Sequence, residues 1–261
     1  QGQGGSGELS ILINEVDADQ TSTDTAEFIE LFGDANAALD GLVLVLFNGS
    51  DDASYEAFDL DGFSTDADGY FVVCVDADNV ANCDLDEGGS DNLVLNGADA
   101  VALFTCDESD FPNDTPVTAV NLIDAIVYDT NDGDAAGLID VLTPGQPQVN
   151  EDNNGDKDNH SSQRCPNGAG AAFETGVYDQ FAPTPGAENV CEVVVEPISC
   201  DDNTLVFTAI PTIQGSGAAS TLVGNVVNIE AVVTADFQAG AAGESGDLNG
   251  FYVQDAGDGD P

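Results

Sequence analysis

Positive charge is the scarcest feature of this 261-residue sequence: Lys157, Arg164 and His160 stand against 50 Asp and Glu, a formal net charge of −48. Proteins that bind phosphates use Lys and Arg to displace counterions, so nucleic acids and anionic membranes are disfavoured as direct partners. Divalent cations are the natural counter-charge. The sequence also lacks an HExxH pair, a Gly-rich phosphate loop with Lys, and a His placed for a Ser-His-Asp constellation. No apolar run approaches the roughly 18 residues of a transmembrane helix. None of the six cysteines, Cys74, Cys83, Cys106, Cys165, Cys191 and Cys200, forms a CxxC pair, which fits disulfides better than a zinc site. Disulfides imply an oxidising compartment, so an extracellular location is expected. The pairing is left open, with only Cys191 and Cys200 close enough to suggest a local bridge. The chain opens on Gln1 rather than Met, and the expectation is a start after leader removal or at an imposed boundary.

Despite this charge, 42% of the residues are hydrophobic and the acids are interspersed among them, so the chain is read as folded. Self-repulsion is weakened where salt screens it, over about 10 Å at 0.1 M and about 3 Å at 1 M, which points to marine or saltier water. Short β-branched and aromatic runs separated by Asp, Gly, Asn and Ser predict strands at Leu9–Val16, Glu27–Phe32, Leu42–Phe47, Tyr55–Leu60, Tyr70–Val75, Leu93–Leu95, Ala100–Phe104 and Leu122–Tyr128. This is the rhythm of a β-sandwich. The run Gly41–Phe47 is apolar on both faces and predicts a central buried strand, whereas Ser54–Leu60 alternates and predicts one wet face. Only Asp134–Leu142 suggests a helix, stopped by Pro144 and Gly145. Turn chemistry dominates from Thr143 to Asn189, too long a stretch for an idle connection.

Several ordered segments carry a resemblance. Ile13–Val16, Glu27–Phe32, Leu39–Leu42 and Asp59–Phe63, followed by Ile123–Tyr128, Ser162–Pro166 and Thr184–Asn189, resemble the lamin tail domain, an immunoglobulin-like β-sandwich. Beyond it, Ile213–Gly217, Leu222–Gly224, Val232–Phe237 and Gly250–Asp255 resemble the OB-like module that follows such a domain in secreted bacterial endonucleases of the ExeM/NucH type. The resemblance implies an all-β chain with a flexible N-terminus at 1–7, a sandwich at 8–190, a linker at 191–208 and a partial OB-like segment at 209–261. It also implies that hydrolysis of nucleic acid, with its divalent metal, belongs to a downstream domain not contained in this sequence. One histidine cannot supply the metal-positioning and protonating groups such chemistry uses. The first functional expectation is therefore a non-catalytic module that locates a secreted nuclease on a surface or substrate.

The residues suggest further features. Asp152, Asn154, Asp156 and Asp158 place oxygen at every second position, as in the first half of an EF-hand loop, and are the first candidate calcium ligands. Gly155 comes too early for that loop's turn, and Gln163 stands where the closing Glu would be. Asp76, Asp78, Asp84 and Asp86 form a weaker candidate set. Arg164 reads as a structural anchor pinning the Thr143–Asn189 excursion, with Cys165 tethering the next position. Lys157 trims repulsion in its loop, and His160 is read as neither ligand nor switch. Phe28, Phe32, Phe47, Phe58, Phe63, Phe71 and Phe104 read as core, while Phe251 and Tyr252 face opposite ways, so that one leaves the core. Finally, Val226, Val227, Ile229, Val232 and Val233 form an apolar run suited to strand addition. It supports the second functional expectation, a self-associating subunit or adhesive partner of a cell surface or extracellular matrix.

Overall fold

The computed structural model describes residues 10–89, 92–191, 208–215, 220, 222–223, 226–229, 231–236 and 251–255. The chain divides into two compact units, Gln1–Val193 and Val194–Pro261. In the first unit the elements run β1 (Ile11–Asp17), β2 (Phe28–Gly33), β3 (Val43–Asn48), β4 (Ala53–Asp59), β5 (Tyr70–Cys74), β6 (Leu85–Asp86), β7 (Asp99–Phe104), β8 (Leu122–Asp129), α1 (Ala136–Leu142), β9 (Val149–Asn150), β10 (Ser161–Arg164) and β11 (Tyr178–Phe181). Two sheets result, of order β11-β10-β1-β2-β5-β6 and β4-β3-β7-β8-β9. The fold is all-β.

Inward residues of both sheets, among them Ile13, Ile29, Leu44, Phe71, Val101 and Ile126, form one central core. The opposite face of the five-stranded sheet carries a second apolar cluster of Val45, Phe47, Ala102, Phe104 and Val127 beneath Leu138 and Leu142 of α1 and beside Phe111. This double burial explains the run Gly41–Phe47: β3 lies between β4 and β7 and needs apolar side chains on both faces. The helix is shorter than predicted. It lacks a side-chain cap at Ala135 and ends where the Thr143 N–H bonds Ile139 O, just before Pro144.

β1 follows a different rule. Its core-facing residues are Ile11, Ile13 and Val16, followed by Ala18 just past the strand, because a bulge between Ile13 and Glu15 shifts the alternation by one residue. Glu15 and Asp17 consequently face away from the core, opposite Glu30 and Phe28 of β2. That outer face of the six-stranded sheet is roofed by the loops closed by two disulfides, Cys74–Cys83 and Cys165–Cys191. The expected Cys191–Cys200 bridge is thus corrected. The returning chain brings Cys191 to Cys165, whose carbonyl neighbourhood it shares through Arg164 O, while Cys200 lies outside the described residues. Cys106 is a free, half-buried thiol.

Leu93–Leu95 is no strand. Its backbone is satisfied by side chains instead: Leu93 N–H donates to Glu27, Leu93 O accepts from the Tyr55 hydroxyl, and Leu95 O accepts from the Tyr128 hydroxyl. The Thr143–Asn189 stretch holds three strands that turn-rich composition concealed, β9, β10 and β11, none longer than four residues.

In the second unit, α2 (Ile210–Gln214) and the antiparallel pair β12 (Ala231–Asp236) and β13 (Phe251–Asp255) are described. The apolar run proposed for strand addition is divided. Val232 and Val233 enter β12, but Val226, Val227 and Ile229 precede it, and Val226 is 99% exposed. The side chains of Val232, Val233, Phe251 and Tyr252 lie outside the described residues, as does most of 191–208.

Candidate functional site

Arg164 is fully buried, and its donors all point inward. Nε donates to Ile13 O at 2.8 Å, Nη1 to Ala169 O at 2.7 Å and Ala171 O at 3.2 Å, and Nη2 to the Asp124 carboxylate at 3.1 and 3.3 Å. The guanidinium lies 5.0 Å from the Tyr178 ring centre. Asp124 also accepts the Ile13 and Phe173 N–H groups at 2.9 and 2.7 Å. Burial pushes the Asp124 carboxyl upward, opposed by Arg164 and these N–H donors. Burial works against the charged guanidinium, but Tyr178 and Asp124 outweigh it and raise its hold on its proton. The pair joins β1, β8, β10 and the 169–173 loop.

Alongside it, Glu15 and Glu30 stand opposite each other on β1 and β2. Glu15 accepts from Ser161, Gln163 and both the N–H and hydroxyl of Thr184, while Glu30 accepts from Asn14 and the Gly186 N–H. Asn14, Asn167 and Asn189 continue this network under the 165–191 loop. Burial raises both carboxyls, and the neighbouring Glu15 charge helps push Glu30 to about 8.

Where β1 ends and β2 begins, the two disulfide loops leave a cleft of about 380 Å³. Asn79, Val80 and Ala81 of the Cys74–Cys83 loop form one wall, and Pro183 and Pro185 of the Cys165–Cys191 loop form the other. The walls are tied together by Asn82, whose amide donates to Pro185 O at 2.9 Å. Gly186 is required there. Its φ is +71°, and a Cβ would run into the Asn82 side chain. Phe28, Val80 and Ala26 supply an apolar floor, beside which lies Asp17, 3% exposed.

Gln20 organises the loop around Asp17. Its Nε2 donates to Asp17 Oδ1 at 2.6 Å, its Oε1 accepts the Ala26 N–H, and its own N–H donates to Asp24. Burial drives Asp17 well above the usual carboxylate range, against the Gln20 bond and with the help of Glu15, Glu27 and Asp24. Glu151 is driven the same way by burial and then by Asp17. One oxygen of Glu151 accepts the Ala18 N–H, while Oε2 is buried without a partner.

The Asn150–Gly168 window forms the lip of this cleft. Lys157 pairs with Asp19, just past β1, and so holds Asp158 and Asn159 over Asp17. Asn154, predicted as a ligand, donates to Gln180 O at 2.9 Å and contacts His160 Nδ1 at 2.7 Å. Asp156 accepts from Asn159 and lies 3.8 Å from His160 Nε2. Asp152 is half-buried, and Asp158 is exposed. In the weaker set, Asp76 bonds Asp78 N–H and Asn79, Asp84 bonds Val72 N–H, and Asp86 bonds Gly88 N–H. No three His, Cys, Asp or Glu converge on a metal position among the described residues.

Two other hollows differ in kind. One of about 500 Å³ near Gly49 and Gly97 is acidic, with Asp99 already bonded by the Gly49 N–H, and one of about 570 Å³ beside Phe173 is largely apolar. The cleft at Asp17 joins a deeply buried carboxylate to an apolar floor. Sequence reasoning missed Asp17, Gln20 and Glu151. The available signal was Val16, an apolar residue out of phase with Ile11 and Ile13, which betrays the bulge that turns Asp17 outward. Comparison with protein-family models, with curated proteins and with solved structures returns no match, so function rests on the residues of the cleft themselves.

Proposed function

We propose that the chain is a non-catalytic extracellular binding module that locates a larger secreted protein, of the nuclease kind its sequence resembles, on a surface or substrate. The supporting observation is the cleft itself, walled by loops that both disulfides staple to a rigid sandwich. Binding sites are commonly carried on loops held by such a scaffold, and the volume falls within the roughly 300–1,000 Å³ of ligand pockets. The two disulfides fit an oxidising setting. Arg164 and Lys157 are engaged by internal carboxylates, which leaves no cation to hold phosphates directly. Calcium held by the exposed Asp156 and Asp158 would instead bridge the module to an anionic surface.

The test incubates the full chain with supercoiled plasmid and divalent metal, and separately with cells of the producing organism, with and without EDTA. Saturable, EDTA-sensitive adsorption without nicking is expected. Nicking that follows the purified chain overturns the non-catalytic reading, and non-saturable adsorption overturns the locating one.

A second reading, self-association by strand addition, is supported by the second unit. Among the described residues β12 pairs only with β13, and Val223, Val226 and Ile229 are exposed. Light scattering should then show concentration-dependent growth that Val226→Asp abolishes. A monodisperse monomer at all concentrations eliminates this reading.

A further inference from the structure

We propose that the cleft at Asp17 receives an alkylammonium group, an aliphatic stem ending in a protonated amine. This rests on the binding-module reading and specifies what the module holds. The stem is matched by the floor of Phe28, Val80 and Ala26 and by the flanking Pro183 and Pro185. The charged head is matched by Asp17. Oδ1 is held in place by Gln20, and Oδ2 has no hydrogen bond among the described residues.

No cation of the chain is paired with Asp17 among the described residues. Glu151, 1% exposed, adds an unpartnered oxygen to the same acidic neighbourhood, while the chain's own cations are engaged elsewhere: Lys157 by Asp19 and Arg164 by Asp124. A buried carboxylate without a cation is costly, and a ligand that supplies one gains the pairing without introducing a second desolvated charge of its own sign. A hard metal ion is a poorer match, because it seeks about six or more oxygen ligands where this cleft presents apolar carbon. Asp158 at the lip and the net charge of −48 draw cations toward the mouth.

The shared chemistry has two sources, a free amine or a lysine side chain displayed by a protein. Calorimetric titration of the full chain at constant ionic strength uses n-butylammonium, N-acetyl-lysine methylamide, n-butanol and calcium chloride as probes. Saturable binding of n-butylammonium is expected, with none for n-butanol. Binding of the lysine derivative as well assigns the site to displayed lysine, and its exclusion assigns it to free amines. Asp17→Asn should bind at least about tenfold more weakly while retaining a cooperative melting transition. Should Asp17→Asn fail to fold, Ala81→Trp, which fills the mouth from the wall, should block binding instead.

Equal binding by wild type and these variants, or calcium competing n-butylammonium out of the cleft, overturns the proposal. Undiminished n-butylammonium binding by a folded Asp17→Asn overturns this inference alone, whereas plasmid nicking overturns the module reading beneath it.

Discussion

The two outer faces of the sandwich are covered in opposite ways. On the five-stranded sheet, Leu138 and Leu142 of α1 and Phe111 close an apolar layer over Val45, Phe47 and Val127. On the six-stranded sheet, the cover is polar and covalent: Arg164 on Asp124, carboxylates opposite each other on β1 and β2, an asparagine network, and two disulfide loops. The apolar face gains stability in proportion to area and asks little of geometry. The polar face depends on the geometry of its hydrogen bonds, and it is the face that holds a cleft.

Breaking each face should show this difference. Arg164→Leu removes the cation beside buried Asp124 and the donor to the Ile13, Ala169 and Ala171 carbonyls, and a loss of about 3–5 kcal/mol in denaturant unfolding is expected, with part restored by adding Asp124→Asn. A loss below about 0.5 kcal/mol, the size of an ordinary surface change, would refute the anchor. Replacing Cys165 and Cys191 by Ala releases the loop over the polar face and should cost about 2–4 kcal/mol, with loss of the cleft. Leu138→Ala on the apolar face should cost about 2–3 kcal/mol without altering binding at Asp17.

The pH response separates the faces further. The Glu30 carboxyl is raised in the folded state to about 8 from an unfolded value near 4.5, so the folded protein holds the proton more tightly. Its contribution is fully present below about pH 4.5 and is lost as pH rises through about 8. Asp17 and Glu151 shift in the same direction. The melting temperature should therefore fall between pH 6 and pH 9, and Glu30→Gln should flatten that slope, whereas Leu138→Ala leaves it unchanged. The smallest effect belongs to the exposed acids: Asp156→Asn or Asp78→Asn should shift stability by no more than about 0.5 kcal/mol.

The apolar face was legible in the sequence because area has a pattern: Gly41–Phe47 announces a strand buried on both sides, and Asp134–Leu142 announces the helix that covers it. The polar face was legible only at Arg164, where a lone guanidinium among 50 acids has to find a partner. The rest depends on which distant segments return. Spacing favoured Cys200 for Cys191, but the fold delivers Cys165. Alternation alone hides the bulge at Asn14–Glu15, and with it Asp17. Leu93–Leu95 has the composition of a strand, yet Glu27, Tyr55 and Tyr128 take its backbone bonds.

Backbone amide shifts followed by NMR during an n-butylammonium titration compare both faces in one sample, and so test most directly the claim that the polar face is the functional one. Saturating shifts confined to Gln20, Val80, Asn159 and their neighbours, with Leu138 and Val141 unmoved, are predicted. Non-saturating shifts spread over the exposed acidic loops would contradict it.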